Sequence, residues 1–425
     1  MISKLLKKFK PQKPKPQKPK PQKPKQSEAP VEIDYGIFND DGQFHKLRKN
    51  KNSKKLLVIF TWMGASPGRF AFYKTLNSIK ENILFLNDKN NEWYQNGIPG
   101  ISESVDDTCN KIKELADKLN AVEIITIGSS MGAYGALLYG AKLGSRSLAF
   151  SPETILNIPG SRSEKNIPAH IEKKYNDLRP YIEGSNLDAS VITGELDTID
   201  LICASHIASL ENVNVISIKG VAHGVPEFLH RKFGIDVVID QFIKTNTLPD
   251  IAERGELTNY PHAIKLITEA GEHIWLKQFR DAANKMEALA KEFPNSDAIL
   301  HKIGSSRLKL KDPKSAERAF RKAVQISPYC AEAHHQLGVS LRSLGRHEEA
   351  CDSQREALKI SEKMPAAILH LGMALQDAGK IFEAETTLKS GFENNPKNPK
   401  FKEAYISCLH EAIKSRQQLI IELSH

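Results

Sequence analysis

The sequence has no uninterrupted apolar stretch of roughly 18 residues, the length a helix needs to cross a bilayer, so no transmembrane span is expected. It has no CxxC pair and no cysteine–histidine cluster at metal-ligand spacing. Its five cysteines (Cys109, Cys203, Cys330, Cys351 and Cys408) are odd in number and scattered. That argues against a disulfide framework and for reduced thiols. The long apolar core of a secretory signal is missing as well. These absences together point to a cytoplasmic protein. Residues 1–25 lack acidic residues altogether and hold ten lysines. They outweigh the net charge of +9, since the other 400 residues sum to −1. The basic balance belongs to a tail, not to a globule that reads nucleic acid. With 40% apolar and 26% charged residues over 425 positions, the chain fits two or three folded domains.

Residues 11–25 are three copies of PQKPK. Their prolines remove backbone donors and fix φ, so the stretch is expected to be a disordered, extended tether stiffened by lysine repulsion. Ahead of it, Ile2, Leu5, Leu6 and Phe9 share one helical face and Lys4, Lys7, Lys8 and Lys10 take the other. Ten residues are too few for a stable helix in water. An anionic membrane surface would induce one, placing the protein peripherally at the inner membrane face. Phe9 is the one aromatic residue of this segment, so base stacking has little support and no specific nucleic-acid partner is expected.

Residues 30–245 alternate strand-like and helix-like segments. Short β-branched runs at 54–62, 82–88, 121–129, 146–151, 189–195 and 212–220 read as strands buried on both faces. Amphipathic patterns at 104–119 and 131–143 read as helices between them. The alternation predicts a mostly parallel sheet covered by helices on both faces. One turn carries chemistry. The run AVEIITI leads into Gly128-Ser129-Ser130-Met131-Gly132, followed by the helical pattern AYGALLYGAKLG. This is G-x-S-x-G between strand and helix, a sharp turn that exposes the central hydroxyl at the sheet's C-terminal edge. Downstream, Asp197 follows one strand and His223 follows the next. Asp200 is the alternative acid.

The order serine, acid, histidine, each on a loop beyond a successive strand, resembles the α/β-hydrolase superfamily over residues 54–244. The elbow GSSMGAYGAL is similar to the SMGG-type elbows of esterase- and acyl-peptidase-like members. Ala133 stands in place of the second glycine. TWMG (61–64) stands where many members carry HG or HGGG. The resemblance implies a triad of Ser130 as nucleophile, His223 as base and Asp197 as orienting acid. It further implies an oxyanion hole built from the backbone N–H of Met131 and a second N–H near Trp62 or Met63. No metal and no cofactor are implied. Residues 151–188 fall where members place a cap. Their mixed charge suits a hydrophilic ester or amide better than a lipid. Trp93 and Tyr94 are candidates for stacking on a sugar ring.

In the C-terminal region a period decides the reading. Gly304, Gly338 and Gly372 recur at 34 residues, as do Ala316, Ala350 and Ala384. Proline recurs at the matching turns Pro294, Pro328 and Pro396. Small residues at helix crossings with this period resemble tetratricopeptide repeats. The expected copies are 263–296 (degenerate), 297–330, 331–364 and 365–398. A capping helix follows near 400–420, with Leu419, Ile420, Ile421 and Leu423 covering its end. Residues 246–262 read as a linker. Stacked repeats form an all-α solenoid, whose groove commonly holds a protein or peptide partner.

The combined expectation is a serine hydrolase that cleaves an acyl ester, on a small polar or glycan-related substrate, through an acyl-enzyme. The repeats would position it. Two alternatives use the same sequence: an inactive hydrolase-fold scaffold acting through its repeats, and an acyltransferase using the same triad.

Overall fold

Apolar strands buried on both faces organise the first region. In chain order it runs β1 (His45–Arg48), β2 (Lys55–Phe60), β3 (Asn82–Leu86), α1 (Val105–Lys118), β4 (Glu123–Ser129), α2 (Met131–Leu143), β5 (Arg146–Phe150), α3 (Arg162–Asn166), α4 (Arg179–Glu183), β6 (Asp188–Gly194), α5 (Thr198–Ile207), β7 (Val213–Ile218), α6 (Val225–Phe233) and α7 (Ile235–Thr245). The sheet order is β1-β3-β2-β4-β5-β6-β7. β1 is antiparallel to β3, and every other neighbouring pair is parallel. The computed structural model describes residues 34–424. The PQKPK tail and the lysine-rich segment before it lie outside them.

The pleat explains why the strands read as unbroken apolar runs. Leu56, Val58 and Phe60 of β2 pack in the core shared with α1 and α2. Leu57 and Ile59, on the opposite face, join the core shared with α6 and α7. A strand with helices on both sides needs apolar residues at every position, not at alternate ones. β1 is the strand that sequence patterning does not reveal. Its four residues, HKLR, are half-exposed except for His45.

The second region is helical throughout: α8 (Pro261–Trp275), α9 (Phe279–Glu292), α10 (Asp297–Lys309), α11 (Pro313–Ile326), α12 (Ala331–Ser343), α13 (His347–Ile360), α14 (Pro365–Asp377), α15 (Ile381–Asn394) and α16 (Pro399–Ser424). The alanines of the 34-residue lattice, Ala316, Ala350 and Ala384, are fully buried where paired helices meet. α16 closes the stack through Phe401, Cys408 and Ala412. The expected covering role of Leu419, Ile420, Ile421 and Leu423 is not what the fold uses. All four are exposed, because α16 runs past the helix it packs on. Among the described residues no helix is long and apolar enough to cross a membrane.

The segment between the regions is not loose. Arg254 forms a bridge with Ile218 of β7. The Lys219 N–H donates to the Glu253 carbonyl at 2.9 Å and the Gly255 N–H to the Ser217 carbonyl at 2.8 Å. Glu195, fully buried at the end of β6, accepts from the Leu257 N–H at 2.9 Å and the Ser217 hydroxyl at 2.8 Å. The residues read as a linker therefore extend the sheet's hydrogen bonding and tie the two regions into one body.

Candidate active site

β4 ends at Ser129 and α2 begins at Met131, which leaves Ser130 alone to turn the chain. Its φ of 58° and ψ of −123° lie in a region that L-residues rarely occupy. Two glycines make the turn possible. A Cβ on Gly128 would stand 2.1 Å from the Gly132 carbonyl oxygen, and one on Gly132 would stand 2.3 Å from the Phe60 carbonyl oxygen. Both obstructions are backbone and cannot swing away. Gly132→Ala is accordingly expected to cost about 3 kcal/mol, the upper end for overpacking, measured as a lowered urea midpoint.

The turn presents the Ser130 hydroxyl to His223, which follows β7. Ser130 Oγ lies 2.8 Å from His223 Nε2. His223 Nδ1 lies 2.9 and 3.0 Å from the two carboxylate oxygens of Asp200. Because a carboxylate only accepts, Nδ1 carries the proton and Nε2 is left to accept from the serine. Asp200 sits in the first turn of α5 and is fully buried. Burial raises the pKa of its carboxyl, and the charge of Asp197 adds to the rise.

Asp197, the expected acid, is not the residue that faces the imidazole. It is the N-cap of α5, and its Oδ1 accepts from the Ile199 and Asp200 N–H groups at 3.0 and 3.1 Å. Its Oδ2 accepts from Arg162 at 2.5 Å. Burial opposes its ionisation. Arg162, the Asp200 N–H and His223 together outweigh burial and hold the carboxyl below the usual range. The signal was present in Asp197-Thr198-Ile199-Asp200. An aspartate at a helix N-cap spends its oxygens on the backbone, and the residue three on is free to point elsewhere.

A cavity of about 350 Å³ opens over Ser130 and His223. Trp62, Met63, Phe72 and Pro226 give it an apolar wall, while Arg162 and Glu227 supply charge. Trp62 is 44% exposed, so its indole is available to a ligand. Trp93 and Tyr94 are not. Both are completely buried, which removes them as sugar-stacking residues. The Tyr94 hydroxyl donates to the Thr61 carbonyl and accepts from the Thr61 N–H, each at 2.8 Å. It fixes the end of β2 just before Trp62. Asp197, Asp200 and His223 place their ligand atoms within 4.8 Å of one another, a spacing a metal ion would accept. Arg162 already pairs with both carboxylates, and its charge opposes a cation there.

The helical region reaches the same loops. Lys302 of α10 is partly buried, and its desolvation brings the ammonium down to about 8. It donates to the Thr198 hydroxyl at 2.7 Å, beside Asp197. Tyr329, between α11 and α12, donates to the Lys219 carbonyl at 3.2 Å, four residues before His223. Neither contact is visible in the sequence, because each joins residues more than a hundred positions apart.

Tetratricopeptide repeat family models match residues 276–329 and 331–364. No curated protein matches the chain. Among solved structures, MamA is 19% identical, over 42% of this chain and 99% of that one, with a TM-score of 0.31. The Sgt2 TPR domain from Aspergillus fumigatus is 14% identical, over 29% and 83%, at 0.28. The first TPR of Spaghetti (RPAP3), bound to an HSP90 peptide, is 17% identical, over 27% and 92%, at 0.27. The C-terminal region of this chain carries tetratricopeptide repeats.

Proposed function

We propose that the sheet region is a serine hydrolase acting on acyl esters. The hydrogen-bond chain Ser130–His223–Asp200, on a turn strained for no evident structural reason, carries the reading. Ser130 Oγ attacks the acyl carbonyl while His223 Nε2 takes its proton. The alkoxide leaves with that proton as an alcohol, and the acyl group stays on Ser130. Water, deprotonated by the same imidazole, then releases the acid. Asp200 holds the imidazole in the tautomer this requires and stabilises its cation. The backbone N–H of Met131, at the start of α2, is the first oxyanion donor, and the second comes from the Trp62–Met63 turn at the same cavity. The exposed indole of Trp62 suits a ring-bearing or acyl substituent, and a glycan-related ester fits it. Transfer to another hydroxyl instead of water would use the same residues.

The repeats we read as the docking part, for a protein or peptide partner. Repeats of this family support that reading, and the Spaghetti domain is seen with a bound HSP90 peptide.

Fluorophosphonate labelling read by intact mass tests the reading. One adduct on the wild type and none on Ser130→Ala is the expected result. A folded wild type that takes up no adduct would leave a non-catalytic scaffold as the better account.

A further inference from the structure

Arg162 lies on the cap segment, between β5 and β6, yet it ends among the acids of the site. Its Nη2 donates to Asp197 at 2.5 Å. Its Nη1 lies 3.3 Å from Glu153 and 3.4 Å from Asp200. Glu153 is 1% exposed and also accepts from the Arg162 and Ser163 N–H groups, both at 2.9 Å. Three carboxylates thus converge on a single guanidinium, and one of them is the partner of His223. A planar fork can serve several oxygens at fixed angles, which an ammonium cannot.

We propose that Arg162 is the positioning residue of the site, selecting Asp200 over Asp197 as the acid that orients His223. The inference rests on the hydrolase reading. By drawing Asp197 Oδ2 to itself, Arg162 keeps that carboxylate off the imidazole. By resting against Asp200, it offsets part of the cost of holding a second carboxylate charge beside the first. Without it, two aspartates three residues apart would share a proton, and neither would hold the imidazole in one place. The cap is then not only a wall of the cavity. It completes the electrostatics of the triad, and a cap that moved away would take the activity with it.

The charged groups that face this cluster come from every element around it. They are Glu153 and Arg162 from the cap, Asp197 and Asp200 from α5, and His223 beyond β7. Glu227 of α6 lines the same cavity, and Lys302 of α10 approaches Asp197. The effect of Arg162 on Asp197 is to lower its pKa, so removing the guanidinium moves the pair's protonation to higher pH. The loss of activity should therefore be largest on the acid side.

The test is the rate of fluorophosphonate labelling between pH 5 and 9 for the full chain, Arg162→Met and Arg162→Lys, with circular dichroism of each. Arg162→Met is expected to label roughly 10- to 100-fold more slowly at pH 7, the scale of a misplaced catalytic group, with the acid limb of its profile shifted upward. Arg162→Lys keeps the charge but not the fork. It should hold the wild-type acid limb while labelling several-fold more slowly. If the methionine variant does not fold, the lysine variant decides alone. Rates within twofold of wild type and an unmoved acid limb, in whichever variant folds, would overturn the proposal while leaving the hydrolase reading intact. A wild type that does not label removes both.

Discussion

Asp200→Asn is expected to lower ester turnover by about 10⁴-fold, while Asp197→Asn lowers it by no more than about tenfold. An asparagine at 200 would offer an N–H₂ to His223 Nδ1 or force the imidazole into the other tautomer. Nε2 would then carry a proton and could not accept one from Ser130, the origin of the large loss when a triad acid is made an amide. At position 197 the same change keeps the helix cap, because asparagine caps nearly as well as aspartate. It removes one partner of Arg162, which keeps Glu153 and Asp200. The measurement is kcat/KM on p-nitrophenyl acetate for both variants. A larger loss at 197 than at 200 would return the acid role to Asp197.

Removing the repeats should abolish labelling of Ser130 altogether. A chain ending near residue 250 would uncover Leu201, which is fully buried in the core that α5 shares with α8, α9 and α10. Re-exposing that one side chain costs about 2 kcal/mol. Glu195 would lose both the Leu257 N–H and the close cover of Gly255, and the hydrogen bond to its carboxylate alone is worth about 1.5–3 kcal/mol. The acid loop would lose Lys302 and the histidine loop would lose Tyr329. Against a typical stability of roughly 5–15 kcal/mol, these losses fall on the loops that bear Asp200 and His223. Thermal unfolding by circular dichroism, alongside labelling, checks the point. A fragment that melts cooperatively and labels at the wild-type rate would make the repeats an independent module.

What the sequence discloses follows from the range of the interaction. The five inner strands, β2 to β6, are legible because burial on both faces forces a nearly continuous apolar run. The elbow is legible because steric crowding at Gly128 and Gly132 writes itself into five consecutive residues. The 34-residue period discloses the helix pairs for a similar reason: close packing recurs at fixed intervals. Which aspartate faces the imidazole is not legible in sequence, because the two share one helical turn and only the cap and the Arg162 contact separate them. An aromatic pair in a loop carries no mark of depth, so the sequence alone does not show that Trp93 and Tyr94 are buried. Arg162 was one cap charge among eleven, since nothing in a one-dimensional pattern shows where a guanidinium 35 positions away from Asp197 will end.

The pairing of residues 253–255 with β7 has a further consequence, for how the molecule behaves in a crowded solution. A sheet ends in two rows of unpaired backbone groups, and each is a template on which another chain can add a strand. Here one row is met by the chain's own Glu253 and Gly255. The other belongs to β1, four residues long, with Lys46 and Arg48 along it. Its shortness discourages a stranger from zipping on. Among the described residues, the self-pairing at β7 and the shortness of β1 both limit the strand addition with which fibrils begin.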